Sequence, residues 1–294
     1  MFNGGIWATT VTPFDDGGNI DEESLRNLID FYIDSGVHGL SLGILGEVSK
    51  LSEFEKNHVV EILVNQTNGR VPISVVCTAQ GTAKTSSLAK KAEQLGVQAV
   101  MIAPPNNVND DKIIFKHYQE ISNNISVPII IQDNPSSTGV TLSPTLLAEL
   151  TKQIKNIEYI KLEDSPTTIK ISKVIKETEH LKIIGGTAMF LYEELTRGAI
   201  GTMSGFPFPR ILVDVFNKFT RGENIAAKEI FFKNMPLMRY DEILPPTVEA
   251  RAIIKKEIFK MKGVIKTSNV RKPFSSIDER TVNELKNIIR FLDL

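Results

Sequence analysis

The stretch Ile157-Glu158-Tyr159-Ile160-Lys161-Leu162, followed at once by Glu163-Asp164, is a short apolar run that ends in a lysine and two acids. It is one of eight such runs: Ile6 to Val11, Val37 to Leu42, Val71 to Cys77, Val97 to Ala103, Val127 to Ile131, Ile157 to Leu162, Leu181 to Ile184 and Ala199 to Met203. Each is rich in β-branched residues and apolar on both faces, the pattern of parallel strands covered on both sides. Polar turns and longer amphipathic segments separate them, as in Glu22 to Ser35, Glu53 to Gln66, Ala83 to Leu95 and Pro166 to Thr178. Asp21, Ser52, Thr82 and Ser143 are capping candidates where such segments open. Gly36 and Gly96 stop others. Eight strand-helix units in series predict an α/β fold of the closed (β/α)8 TIM barrel type rather than an open doubly wound sheet. No G-x-G-x-x-G follows the first run, which argues further against a dinucleotide fold.

Beyond the eighth run, helical period continues over Pro209 to Thr220, Ile225 to Met235, Val248 to Met261 and Asp278 to Leu292. The expected organisation is therefore a barrel with its last helix over residues 1–222 and an appended C-terminal helical segment over 223–294, packed on it. At 294 residues and 41% apolar composition the chain can bury a large core. A net charge of −1 gives no pull toward nucleic acid or an anionic membrane. Lysine-rich stretches such as Lys152-Gln153-Ile154-Lys155 and Lys255-Lys256 read as solvated helix faces. Met1-Phe2-Asn3-Gly4 carries no signal-peptide pattern, and no run reaches the ~18 apolar residues of a membrane span. The single cysteine, Cys77, leaves no internal disulfide, so a reducing, cytoplasmic setting is expected.

In a barrel of this kind the chemistry is built at the carboxyl ends of the strands. Lys161 ends the sixth run. Desolvation disfavours an ammonium, and an amine that sheds its proton can attack a carbonyl to form a Schiff base. The competing reading is an edge lysine that snorkels to solvent. The second run leads into Gly43-Ile44-Leu45-Gly46-Glu47, whose glycines let backbone N–H groups approach a ligand. The fifth leads into Gln132-Asp133-Asn134-Pro135-Ser136-Ser137-Thr138-Gly139, and Met203 closes the eighth. Glu163 shares the face of Lys161 in a strand and, with Asp133 and Asp164, is a candidate acid or base. Tyr159 reads as a packed core aromatic, and Cys77 as a small buried residue. His38, His58, His117 and His180 fall on a strand start, two helices and a loop, so neither a metal nor a cofactor is expected.

The order and spacing of several segments resemble the N-acetylneuraminate lyase and dihydrodipicolinate synthase family of class I aldolases. These are Val11-Thr12-Pro13-Phe14, the acidic turn Asp15-Asp16-Gly17-Gly18, Gly43 to Glu47, Ala103-Pro104-Pro105, Asn134-Pro135 with Thr138-Gly139, Lys161, Gly185-Gly186 and Arg271-Lys272-Pro273. The resemblance covers nearly the whole chain. It implies a homo-oligomer, a tetramer or dimer, in which Lys161 forms an imine with the keto group of pyruvate or another 2-oxo acid. It also implies that Gly43, Ile44, Leu45, Gly46 and Glu47 frame the acid's carboxylate, with Glu47 bracing the loop, and that Ser137, Gly186 and Met203 contact substrate. The departures are specific. Ile44 and Leu45 replace hydroxyl residues, and Gln132 replaces the tyrosine of the proton shuttle. A second tyrosine, contributed across the subunit interface, falls at Pro105 or Asn106. Ser137 stands where the synthase has an arginine. Glutamine does not titrate near neutral pH. The leading expectation is a metal-independent lyase on a small-molecule 2-oxo acid, by aldol cleavage or dehydration. The alternatives are dihydrodipicolinate synthase itself and a catalytically impaired barrel that still binds 2-oxo acids.

Overall fold

The computed structural model describes residues 4–242, 248–274 and 276–294, with the backbone alone at 248–250. The reading of Met1-Phe2-Asn3 lies outside the described residues. Strands β1 (Gly5–Thr9), β2 (Gly39–Leu42), β3 (Ile73–Val76), β4 (Ala99–Ile102), β5 (Ile129–Asp133), β6 (Ile157–Leu162), β7 (Lys182–Gly185) and β8 (Gly201–Ser204) follow one another around a closed parallel barrel. Around them run α1 (Glu22–Asp34), α2 (Glu53–Thr67), α3 (Thr82–Gln94), α4 (Asp111–Ser122), α5 (Pro135–Thr138), α6 (Pro144–Gln153), α7 (Thr167–Glu177), α8 (Leu191–Thr196) and α9 (Pro209–Thr220). The chain then adds α10 (Asn224–Lys233), α11 (Met235–Glu242), α12 (Val248–Met261) and α13 (Glu279–Phe291).

The strands are apolar on both faces because each face packs a different core. A small inner cluster, including Trp7, Met101, Ile130, Tyr159, Ile184 and Met203, fills the barrel. A larger one lies between strands and helices. Trp7 dominates the inner cluster, and a Cβ on its register partner Gly39 would lie 2.5 Å from the indole. Glycine is needed there for close approach. Strands β1 to β4 and β8 are shorter than their apolar runs, β6 matches its run, and β5 and β7 are shifted toward their carboxyl ends. Val11, Val37 and Ala199 are buried yet stand outside the strands, since apolar character marks burial and not strand pairing.

Asp21, Ser52 and Ser143 cap α1, α2 and α6 as expected, with Ser52 in a full capping box with Glu55. Thr82 does not cap α3. It is the first helical residue, Gly81 takes the cap position, and its hydroxyl pairs with His117 Nδ1 at 2.9 Å. The segment expected over Ile225 to Met235 ends at Lys233, and α11, which the sequence reading missed, begins two residues later. Pro236 sits in the first turn of α11, where a missing N–H costs nothing. A second correction concerns Lys255 and Lys256. They are 1% and 0% exposed, so they are no solvated face. No helix of the described residues is long and apolar enough to cross a membrane.

Candidate active site at the barrel mouth

A cavity of about 270 Å³ opens at the carboxyl ends of the strands. Lys161 points into it from β6, in register with Gln132 of β5 and Ile184 of β7. Its side chain is 9% exposed, and Nζ lies 3.2 Å from Glu163 Oε1. The other carboxylate oxygen, Glu163 Oε2, accepts a 3.0 Å hydrogen bond from Gln132 Nε2. Gln132 cannot exchange a proton near neutral pH, but its amide fixes the carboxylate that can. The three side chains form one chain: amide, carboxylate, amine. Such a carboxylate can take the ammonium's proton and then stand beside an imine as its acid or base.

Gly186 makes the room for this. A Cβ there would meet Glu163 Cγ at 2.1 Å, in the middle of the side chain and not at its flexible tip. Gly186→Ala is therefore expected to push Glu163 off Lys161 and lower turnover on the order of 100-fold, the low end for loss of one acid-base group. Steady-state kinetics check it, and an unchanged turnover number would separate Gly186 from the positioning of Glu163.

The loop after β2 divides its work. Ile44 and Leu45 line the cavity, whereas Gly43, Gly46 and Glu47 stand behind its wall. Thr12 Oγ1 donates to Gly46 O at 2.7 Å. Glu47 adopts a left-handed conformation at φ 54°, which a non-glycine residue holds only under constraint. The constraint is visible: Glu47 Oε1 pairs with Lys256 Nζ at 2.5 Å, and Oε2 accepts from Arg271 N at 2.9 Å. Burial lowers the Lys256 amine below its ordinary range, although Glu47 draws it back up. Because Ile44 and Leu45 face the cavity, 2-oxo acids longer than pyruvate are expected to gain on it, each buried CH₂ adding roughly 0.8 kcal/mol. That gain should vanish in the Ile44→Thr, Leu45→Thr double variant, read by imine trapping.

Ser137, Gly186 and Met203 also line the cavity. Asp133 does not join them. It ends β5 one residue after Gln132, so its side chain points outward, fully buried, to Lys170 Nζ at 2.7 Å. Burial pushes its carboxyl up to about 6 against the pull of Lys170. Asp164 binds the same ammonium at 2.8 Å, so both acids sit behind the barrel wall. Tyr159 belongs to the inner cluster, below Lys161. Cys77 is buried, its thiol raised to about 11 by burial. The histidines stay apart, with His38 Nδ1 accepting from Ile6 N and His58 beside Glu22. Among the described residues no three His, Cys, Asp or Glu side chains come together as metal ligands. Asn106 lies in a neighbouring groove of about 610 Å³ that shares Ile44, Gln132, Asn134 and Ser137 with the mouth.

Reading the sequence missed Thr9 and Gly205, and above all Glu242, Arg251 and Lys255, which α11 and α12 bring to the cavity. A signal existed in α12, where Lys255 and Lys256 stand between the apolar pairs Ile253-Ile254 and Ile258-Phe259. A charged pair inside an apolar helix is a candidate for burial with partners.

Three comparisons bear on this arrangement. The model of the dihydrodipicolinate synthetase family matches residues 2–292. An L-2-keto-3-deoxyarabonate dehydratase of Azospirillum brasilense is 28% identical over 297 residues, spanning 98% of this chain and 94% of that protein. A 4-hydroxy-tetrahydrodipicolinate synthase of Methanospirillum hungatei is 30% identical over 304 residues, covering 100% of both chains. The crystal structure of dihydrodipicolinate synthase from Rhodopseudomonas palustris superposes with a TM-score of 0.91 at 30% identity, covering 98% of this chain and 97% of that one. With the family model matching almost end to end on an eight-stranded barrel, the chain belongs to the dihydrodipicolinate synthetase family, whose members are lyases and dehydratases of the class I aldolase type.

Proposed function

We propose that the protein is a metal-independent lyase that binds a 2-oxo acid as a Schiff base on Lys161 and cleaves or dehydrates it. The observation that carries the reading is the Lys161, Glu163 and Gln132 chain inside the mouth cavity. The Lys161 amine adds to the 2-oxo carbonyl and water leaves, giving a protonated imine that draws electrons from the neighbouring carbon. In aldol cleavage Glu163 takes the proton of the C4 hydroxyl as the C3–C4 bond breaks. Cleavage leaves the electron pair on the imine nitrogen as an enamine. In dehydration Glu163 takes a proton from C3 to give the enamine, then returns that proton to the C4 hydroxyl as the enamine pair expels it as water, leaving a conjugated imine that water hydrolyses from Lys161. The dehydratase relative acts by name on a 2-keto-3-deoxy acid, and Ser137 offers no guanidinium from β5 for a synthase. Assembly as a homotetramer or dimer in the cytoplasm belongs to the same reading.

Incubation with pyruvate and borohydride, followed by peptide mass mapping, tests it. One reduced pyruvyl group on Lys161 is the expected result. An adduct on Lys255, the other buried lysine that lines the cavity, or no adduct at all, would overturn the assignment. An adduct without turnover on any 2-oxo-3-deoxy acid would favour the impaired barrel instead.

A further inference from the structure

Three charged side chains reach the mouth cavity from the C-terminal helices: Glu242 from the end of α11, and Arg251 and Lys255 from α12. Arg251 and Lys255 are four residues apart, so they share one face of that helix. Two of the three are engaged. Lys255 Nζ pairs with the fully buried Asp241 at 2.5 Å, and Glu242 Oε1 accepts from Ser204 Oγ at 3.3 Å. Arg251 is different. Its charge is felt by Asp241, but its Nε is buried and makes no hydrogen bond, and among the described residues it forms no ion pair. Buried guanidinium N–H groups without acceptors are costly, and planar N–H pairs match a carboxylate. The same cavity holds Lys161, which takes the keto end of the substrate in the reading above, and Ser137, where no guanidinium stands.

We propose that Arg251 holds a second anionic group at the far end of the substrate, so that the substrate is a 2-oxo acid carrying another carboxylate. This rests on the Schiff-base reading for the near end, while the far-end subsite stands on Arg251 alone. Lys255, tied to Asp241, supports the positive field without needing the ligand, and the hydroxyl and amide groups of Ser136, Ser137 and Asn134 line the same space for a polar chain between the two ends.

The test compares acids of equal length that differ only at the far end. Imine formation is titrated by borohydride trapping with 2-oxoglutarate against 2-oxopentanoate, and with 2-oxoadipate against 2-oxohexanoate. Calorimetry with glutarate against pentanoate, which have no keto group, reads the subsite without the imine. The dicarboxylates are expected to half-saturate at concentrations on the order of 10- to 100-fold lower, as one or two charge-assisted hydrogen bonds would give. Arg251→Ala should erase that preference and the charge-keeping Arg251→Lys should retain part of it. Equal titrations in the natural protein, or a preference that survives Arg251→Ala, would overturn the proposal. If no acid forms an adduct while glutarate still outbinds pentanoate, the imine reading fails and the subsite stands. Should Arg251→Ala not fold, the natural protein and Arg251→Lys decide.

Discussion

Lys161→Ala is expected to abolish the borohydride adduct and all measurable turnover, whereas Glu163→Gln is expected to keep the adduct and lose ~100- to 10,000-fold in turnover. The two variants separate nucleophile from proton carrier. Alanine removes the amine that carries the imine in this proposal. Glutamine at 163 keeps the size of the side chain and its place under Gln132, 3.0 Å away, but cannot take a proton from the ammonium 3.2 Å away or from the bound substrate. The adduct should then form more slowly and reach the same final level. Rapid-quench trapping and steady-state rates measure both. A Glu163→Gln protein that turns over at the natural rate would move the acid-base role elsewhere in the cavity.

Lys256→Met should cost ~3 to 5 kcal/mol of stability, the usual size when one member of a buried ion pair is removed. The ammonium lies 2.5 Å from Glu47 and also donates to Asn269 O at 2.7 Å, with 0% of its side chain exposed. Without it the Glu47 carboxylate is left buried beside Arg271 N, in a backbone conformation it adopts only while held. Urea unfolding measures the loss. Lys256→Met combined with Glu47→Gln should recover part of it, because the orphaned charge is gone. A single variant within 1 kcal/mol of the natural protein would show that the loop after β2 holds its shape without this tie.

The barrel was legible because its signal is local. Eight apolar runs of strand length, each followed by a helix, leave few other closed arrangements, and the Lys161 to Glu163 spacing placed both side chains on one face. What could not be read depends on register and distance. Gln132 meets Glu163 only because β5 and β6 pair with Gln132 opposite Lys161. Asp133 looked equally eligible, and the pleat alone turns it outward to Lys170. The buried lysines of α12 were misread for another reason. Their acids come from 14 residues away for Lys255 and 209 for Lys256, and no helical period reports such partners. α11 escaped because a proline in its first turn looks like a breaker.

The indole of Trp7 gives the protein a built-in optical probe. It is the single tryptophan, 1% exposed, sealed against Gly39 inside the barrel and in the same cluster as Met203, whose side chain also borders the substrate cavity. Its emission therefore reports on one place only. Peeling away outer helices while the strands stay closed leaves that signal unchanged, and a red shift marks the opening of the barrel itself. A ligand held on Lys161, as proposed, would share the Met203 wall with the chromophore, so occupancy and barrel integrity are both expected to register in the fluorescence of the unlabelled protein.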